Sequence, residues 1–126
     1  MGRTLQFLKD TKDDIELIQL DPKYPISDDD LVAMIEDAIV REEAKAGVTG
    51  GKIKMALIDA ITSVPGARVP FERITKLLRD HNILSLIDGA HAIGKLHLAM
   101  LLSRDQVFVF LTRLWCVSTA TVGWLT

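Results

Sequence analysis

The chain has 126 residues, 48% hydrophobic and 25% charged, the proportions of one ordinary globular domain or part of a larger one, with enough chain to bury a core. Its net charge of -2 gives no reason to expect nucleic acid as a partner, since that binding relies on clustered cationic side chains. The single cysteine, Cys116, excludes an internal disulfide and suits a reducing compartment.

Met1 to Asp10 mixes charges with isolated apolar residues and lacks the apolar run of a secretory signal. Gln6 stands where a myristoylation pattern needs Ser or Thr. No stretch reaches the ~18 uninterrupted apolar residues of a spanning helix. The expectation is a soluble, cytoplasmic chain without a membrane partner.

In chain order, Arg3 to Asp10 reads as the end of a helix, and Ile15 to Leu20 as a short strand closed by Asp21-Pro22. Ser27 or Asp28 can cap a following helix, and Asp28, Asp29 and Asp30 suit the positive end of its dipole as a solvated start. Leu31, Met34, Ile35, Ala38 and Ile39 recur at helical spacing, and the pattern stops at Gly47, with Gly50 and Gly51 beyond. Ile53 to Ile58 is an apolar run suited to a strand covered on both faces. Asp59 to Gly66 is a loop with Pro65-Gly66 as turn punctuation. Pro70 starts a helix whose apolar face is Phe71, Ile74, Leu77 and Leu78, and Ile83 to Ile87 is a second buried strand ending at Asp88-Gly89. Strand, helix, strand predicts parallel neighbours joined by a right-handed crossover, hence an α/β architecture.

Composition shifts after Lys95. From Leu96 to Thr126 the only formal charges are Arg104, Asp105 and Arg113, and no lysine occurs. Gln106 to Val117 is apolar and β-branched enough for a strand. The organisation expected is a domain over residues 1–97 and a divergent apolar tail over 98–126.

In open α/β sheets ligands gather at the carboxyl ends of strands. Two loops lie at such ends, Asp59-Ala60-Ile61-Thr62-Ser63 and Asp88-Gly89-Ala90-His91. If the two strands are neighbours, Asp59, Thr62, Ser63, Asp88 and His91 converge on one edge. The bland alternative is that Asp88 only caps the following turn. Elsewhere the residues carry less. Gly47 to Lys52 has glycine spacing one residue short of a phosphate loop, and Ile53 replaces its Ser or Thr. His81, His91 and His97 share no zinc spacing, so no metal site is expected. Cys116, without a nearby histidine or second cysteine, reads as an inert buried thiol.

Ile83-Leu84-Ser85-Leu86-Ile87-Asp88-Gly89-Ala90-His91-Ala92-Ile93-Gly94 resembles the cofactor motif of class V aminotransferases, which are pyridoxal-phosphate enzymes of fold type I. Met55-Ala56-Leu57-Ile58-Asp59-Ala60-Ile61-Thr62-Ser63-Val64-Pro65-Gly66 resembles the preceding strand and loop of that family, and Pro70 to Ile74 the start of its connecting helix. The likeness runs from about Ile15 to Gly94 and is greatest to the isopenicillin N epimerase and hercynylcysteine sulfoxide lyase branch.

The resemblance implies the large domain of a fold-type-I enzyme, mainly parallel strands with crossover helices. It implies that Asp88 contacts the pyridine nitrogen of pyridoxal phosphate, where a carboxylate keeps that nitrogen protonated. It places His91 near the ring's phenolic oxygen, and Ser63, with Thr62 beside it, where many relatives carry an Asn near the same atom. It also implies a Schiff-base lysine in a His-Lys dipeptide, but the family spacing from Asp88 lands near Arg113-Leu114. Lys95, the last lysine, is too close to Asp88 to be its equivalent. The expectation is therefore half of a cofactor site in a partial chain, inactive alone, whose tail from about Leu98 departs from the family sequence. The parent reaction is open among carbon–sulfur lysis, desulfuration, epimerisation and transamination. The rival readings are an interaction protein, since class V enzymes are homodimers and this chain could pair with itself or with a full-length paralogue, and a small standalone α/β ligand-binding domain.

Overall fold

The computed structural model describes residues 2–49, 51–92, 95–96, 107–110 and 122–125. Helix α1 spans Gly2–Thr11, strand β1 Leu17–Leu20, helix α2 Asp28–Thr49 and strand β2 Met55–Asp59. Helix α3 (Phe71–Asp80), strand β3 (Leu84–Asp88), strand β4 (Val107–Phe110) and strand β5 (Val122–Leu125) follow.

The strands form one five-stranded sheet in the order β1-β5-β2-β3-β4. Strands β2 and β3 are parallel, joined through α3, and β4 is parallel to β3. Strand β5 runs antiparallel to both of its neighbours, β1 and β2. The chain is thus α/β with a parallel central part. The antiparallel insertion has no counterpart in the sequence expectation, because four residues containing Gly123 and Trp124 carry too short a pattern to be read as a strand. The strand expected over Gln106 to Val117 appears as Val107–Phe110, and the rest of that stretch lies outside the described residues.

The helices begin where local chemistry says they should. Ser27 and not Asp28 caps α2: its Oγ accepts the Asp30 N–H at 3.1 Å and donates to Asp30 Oδ2 at 2.7 Å, a reciprocal arrangement that satisfies an otherwise orphaned donor. The helix runs through Gly47 to Thr49 instead of stopping at the glycine. Gly47 is exposed, with open space where a Cβ would stand, so it weakens the last turns without ending them. At the far end of α3, Asn82 takes a left-handed backbone, φ 57°, while its N–H bonds to the Arg79 carbonyl at 2.9 Å and the Ile83 N–H to the Leu78 carbonyl at 2.8 Å. That pair of bonds is a Schellman closure, and the buried side chains of Leu78 and Ile83 lie at its two ends. It turns the chain straight from helix into β3.

One core joins sheet and helices. Leu31, Ile35 and Ile39 of α2, and Phe71, Ile74 and Leu78 of α3, cluster with Ala56, Ile58, Ile83 and Ile87. The two helices run in the same direction. Arg73 Nη2 meets Asp29 Oδ1 at 2.8 Å near their starts, and His81 Nδ1 meets Glu43 Oε1 at 2.9 Å near their ends. Exposed pairs of this kind set orientation more than stability. Because side chains alternate along a strand, Ala56 and Ile58 face this helical layer, while Leu57 and Asp59 share the opposite face. Leu57 is also buried, so β2 is covered on both faces, as its apolar run predicts.

Candidate functional site

Both central strands extend one residue further than the apolar pattern alone suggests, so Asp59 and Asp88 are strand residues and not the first residues of loops. They are partners in the parallel register, Asp59 opposite Asp88, and the Ala60 N–H continues the ladder to the Asp88 carbonyl at 2.9 Å. Parallel partners project to the same face, so two carboxyl groups leave one edge side by side.

Asp88 is half-buried, and its Oδ1 accepts the Ala90 N–H at 2.9 Å. This is the turn-capping bond of the bland reading, and it also fixes the carboxylate at the strand end. Asp59 is 8% exposed, and among the described residues its Oδ2 is buried without a hydrogen-bond partner. Burial, and then the neighbouring Asp88 charge, push the Asp59 carboxyl from 3.8 up to about 7.

The loop after β2 is tied by Thr62. Its hydroxyl donates to the Pro65 carbonyl and accepts the Ala67 N–H at 3.1 Å, and its own N–H bonds to the Ala67 carbonyl at 2.9 Å. Thr62 is 1% exposed, whereas Ser63 beside it is half-buried. The Val69 N–H returns to the Ala60 carbonyl at 3.0 Å, closing the loop onto the strand end. His91 lies in the turn after β3 and is exposed, above a closure in which the Ala92 N–H reaches the Gly89 carbonyl at 2.9 Å. The structure therefore pairs Asp59 with Asp88 and sets the Thr62–Ser63 loop and the His91 turn on the same edge. The Thr62 hydroxyl is engaged by its own loop and by the Tyr24 side chain.

Sequence reading did not single out Tyr24. Burial raises the Tyr24 phenol above 10.0, a hydrogen bond with the Thr62 side chain opposes that shift, and the charge of Asp59 adds to it. Tyr24 sits 35 or more residues from every other residue of the edge, in a segment with no motif, so nothing short of the fold could bring it there. With Pro25, Ile26, Leu31, Pro65 and Ala67 it lines a groove of about 470 Å³ whose charged members are Asp28 and Arg68. Arg68 is paired with Glu72 at 2.5 Å. Among the described residues no three His, Cys, Asp or Glu side chains gather as a metal set, and no helix is long and apolar enough to cross a membrane.

No family model matches the chain. It is 34% identical over 82 residues to the hercynylcysteine sulfoxide lyase of Schizosaccharomyces pombe, covering 64% of this chain and 20% of that protein. It is 30% identical over 73 residues to an L-cysteine desulfhydrase-like protein of Epichloe uncinata, covering 58% of this chain and 15% of the relative. A putative L-cysteine desulfhydrase of Oryza sativa subsp. japonica matches at 30% over 80 residues, covering 63% and 16%. The matched stretch spans no more than about a fifth of the length of these relatives. Over that stretch the chain is similar to part of proteins named for cysteine desulfhydration and for sulfoxide lysis.

Proposed function

We propose that this chain carries the ring-binding half of a pyridoxal-phosphate site, built on part of a class V aminotransferase-type, fold-type-I large domain whose parent reaction cleaves a carbon–sulfur bond. One observation carries the reading: Asp59 and Asp88 end adjacent parallel strands in register, with a loop bearing Thr62 and Ser63 and a turn bearing His91 beside them. That edge is where open α/β sheets take ligands. The names of the relatives favour carbon–sulfur cleavage over epimerisation or transamination.

The residues present fit such a group. Asp88 offers a carboxylate that accepts only, fixed by the Ala90 N–H, to a protonated ring nitrogen. Ser63 and His91 offer donors to a phenolic oxygen. Thr62, whose hydroxyl is engaged by its own loop and by Tyr24, would hold Ser63 at the edge. Pyridoxal phosphate, when bound, supplies an electron sink for a carbanion at the substrate. Asp88, half-buried and fixed by the Ala90 N–H, would hold the proton on the ring nitrogen. Lys95 is the last lysine of these 126 residues, so we read them as binding and orienting, without turnover on their own.

Titration with pyridoxal phosphate, followed by absorbance and by isothermal calorimetry, tests this. Saturable binding that weakens about tenfold in Asp88→Asn is expected, since one unit of log affinity is ~1.4 kcal/mol and a charge-assisted bond is worth ~1.5–3 kcal/mol. Borohydride treatment should leave no single lysine modified. Absence of saturable binding, or equal binding by Asp88→Asn, would sink the cofactor reading; one specifically modified lysine would sink the view that the chain lacks its attachment residue.

A further inference from the structure

Asp59 is the residue of this edge to which the family resemblance assigns nothing, yet it is the more deeply placed of the two carboxyls. Its Oδ2 is buried and, among the described residues, has no hydrogen-bond partner. A charged oxygen in that position would cost several kcal/mol in lost hydration, and a neutral acid far less. Its register partner carries a second carboxyl on the same face. Two carboxyls placed side by side in a partly dehydrated setting do not both ionise cheaply, and the proton settles on the one with less solvent and fewer donors. Asp88 has the Ala90 N–H to stabilise its charge; Asp59 is the buried member.

We propose that Asp59 is a positioning residue for Asp88: it holds the one proton of the carboxyl pair in the free protein and releases it when a cationic ring nitrogen meets Asp88. This rests on the cofactor reading above. Among the described residues, the titratable group acting on Asp59 is Asp88; the Asp59 charge in turn acts on Tyr24, whose phenol burial raises, so Tyr24 stays neutral. Burial and Asp88 raise the Asp59 carboxyl to about 7, so the proton is held near neutrality and is removable by one added positive charge. The step is a simple ionisation: the O–H bond on Asp59 breaks, the proton leaves to solvent, and no bond forms or breaks on the ligand. The pair then carries one negative charge when free and gains attraction for a cation as it binds.

Two measurements on the full chain test it. Infrared difference spectra of the free protein should show a protonated-carboxyl C=O band at about pH 6 that fades as the pH rises through ~7 and is missing from Asp59→Asn. Should that variant fail to fold, Asp59→Ser removes the same band. Calorimetry with pyridoxamine phosphate, which has no aldehyde to react with lysines, should give equal affinities for wild type and Asp59→Asn at about pH 6, where both side chains are neutral. At about pH 8 the wild type should bind several-fold more tightly, and near pH 6.5–7 it should release more protons than the variant when run in buffers of different ionisation heat. A wild-type spectrum without the band, or a band that persists in Asp59→Asn, overturns the proposal whatever the ligand does. Binding that weakens in Asp88→Asn, but with an affinity ratio of one at every pH and equal proton release, overturns the role of Asp59 and leaves the cofactor reading standing. No binding by the wild type, or none of it dependent on Asp88, overturns both.

Discussion

Asp59 and Asp88 are register partners at the carboxyl ends of β2 and β3, and the Ala60 N–H locks the two strand ends together at the Asp88 carbonyl, 2.9 Å away. Backbone bonds hold the two strand ends together, and burial with the neighbouring Asp88 charge raises the Asp59 carboxyl, with a consequence for the stability of the whole chain.

The first prediction concerns pH. Burial and Asp88 raise the Asp59 carboxyl from 3.8 to about 7 in the folded chain. The folded form then holds this proton more tightly than the unfolded form. The stability contribution of Asp59 is complete below ~4, is lost as the pH rises to about 7, and is flat above, with a total on the order of 2–4 kcal/mol. Urea denaturation of wild type and Asp59→Asn at pH values from about 5 to 8 checks it. The variant should be the more stable protein at about pH 8, and the gap should close as the pH falls. An identical pH slope in both proteins would remove Asp59 as its source.

The second prediction concerns the start of α2. Ser27→Ala removes both reciprocal bonds with Asp30 and should cost about 1 kcal/mol, read as a shift in denaturation midpoint without a change of slope. Asp28→Ala should cost only a few tenths of a kcal/mol, since it forfeits just the dipole interaction at an exposed site.

The third concerns the turn between α3 and β3. Asn82→Gly should be near neutral because the left-handed backbone at φ 57° costs glycine nothing, whereas Asn82→Val should destabilise by roughly 1–2 kcal/mol. Equal stabilities for the two variants would show that the closure contributes little to holding β3 in place.

The fourth concerns the loop that carries Ser63. Thr62→Val keeps shape but removes the hydroxyl's bonds to the Pro65 carbonyl, the Ala67 N–H and the Tyr24 side chain. The Ala67 N–H keeps its bond to the Pro65 carbonyl at 2.7 Å, so the cost should be about 1 kcal/mol; Thr62→Ser keeps the hydroxyl and should lose under half as much. Ser63→Ala should leave the denaturation midpoint unchanged. A Ser63→Ala variant as unstable as Thr62→Val would mean that the two exchange roles.

Much of this was legible along the chain, where short-range chemistry decides. Leu31, Ile35 and Ile39 at helical spacing announced the buried face of α2, and Pro70 with Phe71 and Ile74 that of α3, because a helix repeats every 3.6 residues and one stripe must meet the core. The apolar runs of β2 and β3 with a helix between them implied parallel neighbours, and so brought Asp59 and Asp88 to one edge. What the sequence alone determined, then, is the alternation of elements and the identity of the polar residues that leave the buried strands.

Only the tertiary structure decided how those residues share the edge. The strand register put Asp59 opposite Asp88 rather than one residue off, and a single step of slip would have sent one carboxyl to the other face. Packing left Asp59 at 8% exposure and Asp88 half-buried with the Ala90 N–H on its Oδ1, and that difference in burial raises the Asp59 carboxyl. Long-range folding brought Tyr24 to Thr62 and placed Val122–Leu125 between β1 and β2. None of these is a local property. Each depends on which surfaces meet, and burial and proximity, which no spacing along the chain records, set the chemistry of the pair.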